Sequence, residues 1–264
     1  MQDYWFKQTA EQPLFPDLLW SRPENRAQAG KLLIAGGNAH GFAAAGEAYS
    51  EAAAAGIGTA RVVLPDSLRK TVGRVFEAGE YASSTPSGSF SQQALAELLA
   101  MAHWADAVLL AGDFGRNSET AILLEQFTAK YAGQLTLAQD AIDYFVTEPN
   151  AVLERQDTLL VVSFAQLQKL AAKAQFTTAF TSTMDFLHLI DALHTFSQQH
   201  QAALIVKQLQ TVFVAVRGQI STTKLDENID IQEVKTAAQA SVWWLQNPRK
   251  SFQALSTAVA TVRK

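Results

Sequence analysis

The sequence predicts a three-layer α/β/α sandwich on a mostly parallel sheet with an antiparallel edge hairpin, and three observations carry that prediction. The runs KLLIAG, ARVVLP, DAVLLAG, QLTLA, DTLLVVS, AALIVK and TVFVAVRG are short and continuously apolar, as strands buried on both faces are. Helical patterns near 42–55, 91–104, 118–131, 165–173 and 183–199 separate the runs, and right-handed βαβ crossovers then put helices on both faces. Only Gln208 to Gln210 separate AALIVK from TVFVAVRGQISTT, a link too short for a crossover. An antiparallel hairpin near the sheet edge follows.

Taken in order, MQDYWFKQTAEQPLFPDLLW sets Trp5, Phe6, Phe15, Leu18, Leu19 and Trp20 ahead of the first apolar run. Residues 1–23 read as an arm packed on the body or on a partner subunit, so a homo-oligomer is one expectation. The arm lacks the basic-then-apolar pattern of a secretory leader. Residues 24–264 read as one domain, because no repeat or Gly/Ser linker divides them; SSTPSGSFS, 83–91, is the most loop-like stretch. Near the end, SVWWLQNP and SFQALSTAVATV read as two helices broken at Pro248, with Trp243 and Trp244 as core or interface residues.

The first strand runs straight into Gly36 and Gly37, and an alanine-rich helix follows. Such a turn has two readings. Glycine permits a ligand to approach the main chain, and the unpaired N–H groups of the next helix suit phosphate. Alternatively, the glycines only make a tight βα turn. Asn38 and this turn are the leading candidates for ligand contact.

Composition removes several function classes. The chain has 264 residues, 48% of them hydrophobic, and no cysteine, so disulfides, thiolate metal sites and cysteine nucleophiles are excluded. A net charge of −4 with scattered basic residues offers no footprint for nucleic acid. No run approaches the roughly 20 apolar residues of a membrane span. A cytoplasmic location is the expectation. His188, His194 and His200 fall six apart, which does not align them on one helical face as a zinc helix would.

In such folds ligands bind beyond the carboxyl ends of the strands, and the residues there resemble a known family. NRAQAGKLLIAGGNAHGFAAAGEAYSEAAAAGIGTARVVLP is similar to the opening of the ADP- or ATP-dependent NAD(P)H-hydrate dehydratases, which have the ribokinase-like fold. Gly36, Gly37, Ala44, Ala45, Gly56 and Gly58 fall on family positions. DAVLLAGDFGRNSET replaces the family's GPGLG, with Ala111, Asp113 and Gly115 at its glycines. LTLAQDAIDYF matches DADAL, keeping Asp140 at the second aspartate, while Ala138 replaces the first. IVKQLQT matches LKGxxT, keeping Lys207 and Thr211. Ser163 and Gln166 stand where the family's TPHPGE has histidine and glutamate. DIQEVKTAAQ stands where the family has GTGD, its anion hole and catalytic base, and contains no glycine; Asp230 or Glu233 is the nearest carboxylate.

The resemblance implies nucleotide-dependent repair of hydrated nicotinamide cofactor, with ADP or ATP and Mg2+ as cofactors and an adenine nucleotide or nicotinamide dinucleotide as partner. It places Lys207 and Thr211 at the nucleotide, and Gly36, Gly37, Asn38, Ala44, Gly115 and Asp140 along the substrate cleft. Each has a plainer alternative: Lys207 a snorkelling lysine, Thr211 ordinary strand propensity, Asp140 a helix N-cap. Losing an oxyanion donor costs roughly 10²–10³ in rate, and losing the base roughly 10²–10⁴. The expectation is therefore a degenerate member, a pseudoenzyme that binds an adenine nucleotide with little or no turnover. The alternative is a non-enzymatic structural or interaction protein on the same scaffold.

Overall fold

The computed structural model describes residues 3–73, 79–225 and 232–261. Its strands are β1 (Trp5–Gln8), β2 (Lys31–Gly36), β3 (Thr59–Pro65), β4 (Gly79–Ala82), β5 (Ala107–Gly112), β6 (Gln134–Ala138), β7 (Thr158–Val162), β8 (Ala203–Gln208), β9 (Thr211–Val216) and β10 (Gln219–Lys224). They form one sheet in the order β1-β10-β9-β8-β7-β6-β5-β2-β3-β4. Only β9 runs against the rest. The helices are α1 (Pro16–Trp20), α2 (Ala43–Ala54), α3 (Arg69–Val72), α4 (Leu95–Trp104), α5 (Ser118–Lys130), α6 (Asp140–Asp143), α7 (Asn150–Leu153), α8 (Phe164–Lys173), α9 (Phe186–Gln199), α10 (Glu233–Gln246) and α11 (Ser251–Ala260).

Because strand side chains alternate between faces, each central strand feeds two cores. Leu33, Ala35, Val108 and Leu110 meet the layer of α4 to α9, whereas Leu32, Ile34, Ala107 and Leu109 meet α1, α2, α10 and α11. The second layer is built for close approach. Ala44, Ala45, Ala48 and Ala52 of α2, and Ala237, Ala238 and Ala240 of α10, are all buried. Small side chains let these backbones draw together, while Trp243 and Trp244 fill the remaining volume, 2% and 5% exposed.

Every predicted apolar run is a strand, and the three-layer architecture stands. The sheet's edge differs from expectation in two ways. TVFVAVRGQISTT is two strands, not one: Arg217 at φ 47 and Gly218 at φ 83 turn the chain back, and β10 pairs antiparallel with β9. The edge itself belongs to β1, which pairs parallel with β10. Trp5 Nε1 donates to Thr222 Oγ1 at 3.0 Å, and Gln8 Nε2 donates to Thr223 Oγ1 at 2.8 Å. Strand β4 was also unforeseen, since GEYA buries only Ala82 fully and carries almost no apolar signal. Among the described residues, no helix is long and apolar enough to cross a membrane.

One contact sets the spacing of the sheet's centre. A Cβ on Gly36 would lie 2.5 Å from the Gly112 carbonyl oxygen, where the β2–β5 register shifts. Gly36→Ala is expected to cost about 1–3 kcal/mol through overpacking, read as a lower midpoint with unchanged slope in urea denaturation.

Candidate functional site

The chain leaves β2 at Gly36 and turns at Gly37, whose φ is +94. Gly37 N–H donates to Gly112 O at 3.0 Å. These glycines therefore answer to the neighbouring backbone. Asn38 then organises its own loop: its N–H donates to Gly41 O at 2.7 Å, and its Nδ2 donates to Asp113 O at 2.6 Å. Its Oδ1 accepts the His40 N–H at 2.7 Å.

Beyond β5, Gly112 has φ +121 and Asp113 has φ 59, which swings the Asp113 carboxylate towards α2. Phe42 at the cap position of α2 offers no side-chain cap, and Asp113 Oδ2 accepts the Ala44 N–H at 2.9 Å instead. A neighbouring strand's carboxylate thus holds the helix's positive end.

The same device recurs one strand over. Gln139 has φ 49 and ψ −134, and Asp140 is the first residue of α6. Asp140 does not cap its own helix. Its Oδ1 accepts the Phe114 N–H at 3.2 Å and its Oδ2 the Gly115 N–H at 2.9 Å. Tyr144, one turn on, donates to Gly115 O at 2.6 Å. Burial pushes the Asp140 carboxyl above its ordinary range; the two N–H bonds pull it back, and Asp113 and Asp143 push the same way as burial. A cleft of about 550 Å³ opens here, lined by Gly115, Arg116, Asn117, Ser118, Asp140, Asp143 and Tyr144. Phe114 does not fill it, being fully buried against Phe90 with centroids 5.7 Å apart.

A second cleft, about 270 Å³, lies across β7 and β8, with Ser163, Phe164, Lys207, Val212, Glu233 and Thr236 among its walls. Lys207 pairs with Val212, and Thr211 opens β9 opposite Gln208. Ser163 and Gln166 form a reciprocal capping box at the start of α8. Gln166 Nε2 also donates to Gln139 O at 2.8 Å and to Asp143 Oδ1 at 3.2 Å, linking the walls of the two clefts. Helix α10 starts with Gln232 at its cap position, without a side-chain hydrogen bond. Glu233 follows, its carboxyl raised by burial first and by Asp143 second. Asp230 lies outside the described residues.

The structure gathers Gly36, Gly37, Asn38, Ala44, Gly115 and Asp140 around Asp113, at the ends of β2, β5 and β6. Lys207 and Thr211 stand apart, two and three strands beyond β6. Sequence reading missed Arg116, Asn117, Asp143 and Tyr144. Two of these had a signal. Asn117 heads the cap pattern NSET and accepts from the Glu119 and Thr120 N–H groups, while Tyr144 follows Asp140 at helical spacing. The spread histidines find separate partners: His188 with Asp185, His194 with Gly218 O and His200 with Glu154. Among the described residues, no group of three His, Asp or Glu is placed to hold a metal ion.

A carboxyl raised on folding contributes stability below its unfolded value that is lost as pH rises through its folded value. For Glu233 that loss begins near 4.5 and extends upward. Glu233→Gln is expected to flatten this part of the stability profile, measured by urea denaturation between pH 4 and pH 8; an unchanged slope would exclude Glu233 as a contributor.

No family model matches this sequence, and no curated protein does. Solved structures do resemble it. A ribokinase-like superfamily protein from Enterococcus faecalis V583 aligns with a TM-score of 0.72 at 13% identity, over 98% of this chain and 86% of that one. A hypothetical protein from Streptococcus mutans aligns at 0.64 and 14% identity, over 90% and 82%. The ADP/ATP-dependent NAD(P)H-hydrate dehydratase of Bacillus subtilis, co-crystallised with ATP and Mg2+, aligns at 0.61 and 10% identity, over 94% and 86%. At these identities the likeness establishes the architecture: this chain has the ribokinase-like fold.

Proposed function

We propose that this protein binds an adenine nucleotide in the manner of an NAD(P)H-hydrate dehydratase relative and turns it over little or not at all. The observation that carries the reading is the cleft shared by Lys207 and the start of α10. Helix α10 lacks a side-chain cap, so its first N–H groups and its dipole suit a phosphate tail. Lys207 lines the same cleft and supplies a compact point charge. Glu233 stands in the same cleft, its carboxyl raised by burial and by Asp143. The fold match to a dehydratase co-crystallised with ATP and Mg2+ supports the same choice of ligand. Mg2+ would arrive on the phosphate oxygens with water completing its shell, since the described residues offer no group of three carboxylates or imidazoles to cage it.

Weak turnover follows from the other cleft. Charge on a transferring phosphoryl group is neutralised by backbone N–H groups and cations. Here Asp113 and Asp140 already occupy the N–H groups at Ala44, Phe114 and Gly115. Stretch 230–239 contains no glycine to rebuild an anion hole.

Binding of ADP, ATP, AMP, NAD and NADPH, with and without Mg2+, is measurable by calorimetry and thermal shift. An adenine nucleotide at 100 times its dissociation constant should stabilise the fold by about 2.7 kcal/mol. Lys207→Ala is expected to weaken binding roughly tenfold or more, about 1.4 kcal/mol, and hydrated NADH should not be repaired. No binding at millimolar nucleotide would overturn the reading. It would leave the interaction-protein alternative, which the exposure of Trp20 (87%) and Leu209 (83%) favours.

A further inference from the structure

The larger cleft has the shape of a ligand site and the electrostatics of one that turns anions away. Loops at the carboxyl ends of parallel strands ordinarily present backbone N–H groups to a negatively charged ligand. In this chain the protein's own side chains use those donors. Asp113 accepts from Ala44 at the start of α2, Asp140 accepts from both Phe114 and Gly115, and Asn117 accepts from Glu119 and Thr120 at the start of α5. Gly115 has φ +76, and the Tyr144 hydroxyl fixes its carbonyl, so the turn is held in the one arrangement that aims both N–H groups at Asp140.

We propose that Asp140 is a charge-selectivity residue: its carboxylate stands in the place of a ligand anion on the Phe114 and Gly115 N–H groups, so the 550 Å³ cleft excludes phosphate and admits uncharged or cationic polar groups. The proposal rests on the reading of this region as a ligand site and adds the class of group that enters it. A phosphate approaching the cleft meets the carboxylates of Asp140 and Asp143 in its wall, with Asp113 adding its charge beside Asp140, against the exposed guanidinium of Arg116. Asp140 is half-buried, and protonation would weaken its hold on the two N–H groups. The titratable and charged groups around it are Asp113 from the β5 loop, Asp143 and Tyr144 from the α6 segment, and Arg116 from the turn before α5.

Sulfate is a suitable probe because it keeps its charge across the working pH range. Its binding can be read at the backbone amides of Phe114 and Gly115 by two-dimensional nuclear magnetic resonance. In the wild type at pH 7.5, sulfate should leave both resonances in place. In Asp140→Ala the bared pair should accept it, moving both resonances and tightening the apparent affinity at least tenfold. Sulfate moving these amides equally in the wild type would overturn the proposal, as would a folded Asp140→Ala protein that ignores it. If that variant does not fold, Asp140→Ser at pH 7.5 decides: sulfate shifts of Phe114 and Gly115 in it support the plug, and their absence overturns it. The readout needs no nucleotide and does not involve Lys207. A negative result here leaves nucleotide binding standing, and failed nucleotide binding leaves this test intact.

Discussion

The structure depends on how closely β2 and β5 approach at their carboxyl ends. Gly36 and Gly112 meet backbone to backbone, with room for no side chain on Gly36. That contact shifts the register and sends the two exiting chains in different directions. It delivers Asp113 to α2, and it brings the Phe114 and Gly115 N–H groups within reach of Asp140. Gln139 packs its side chain against Gly112, 2.4 Å from where a Cβ would sit there. Three adjacent strands thus share one geometrical constraint. A larger residue at Gly36 would disturb β5, the Asp113 cap and the cleft wall together.

Much of the architecture was legible because burial on both faces writes itself into strands as uninterrupted apolar runs. Leu32 to Ala35 and Ala107 to Ala111 leave no ambiguity of that kind. The Gln208 to Gln210 link also announced a reversal, since no helix fits in it. Edge strands carry no such signal. Trp5 to Gln8 sets two aromatic residues before Lys7 and Gln8 with no alternation, and Gly79 to Ala82 is too short to show a period. The turn at Arg217 and Gly218 was hidden because arginine gives little warning of a positive φ.

The candidate site was legible in outline only. Glycine positions and Asp140 mark where strands end, and the structure gathers those residues. Sequence does not say what each carboxylate bonds to. Asp140 at a helix start reads as a cap, yet its partners are Phe114 and Gly115 from the loop after β5. Ser163 and Gln166 were read against a family motif, whereas S-x-x-Q spells a capping box and the two residues form one. Polar residues that hold loops together and those that hold ligands share one vocabulary, and only hydrogen-bond partners separate them.

The parallel pairing of β1 with β10 has a consequence for how the chain is made. Trp5 and its partner Thr222 are separated by 217 positions. At ribosomal speeds of roughly 5–20 residues per second, the first strand waits roughly 10–45 s for its neighbour to be synthesised. During that interval Trp5 and Phe6 lack the sheet edge that will cover them. The last seam of the sheet to close therefore carries aromatic residues made long before their cover. A chaperone that shields nascent hydrophobic segments would find a target there.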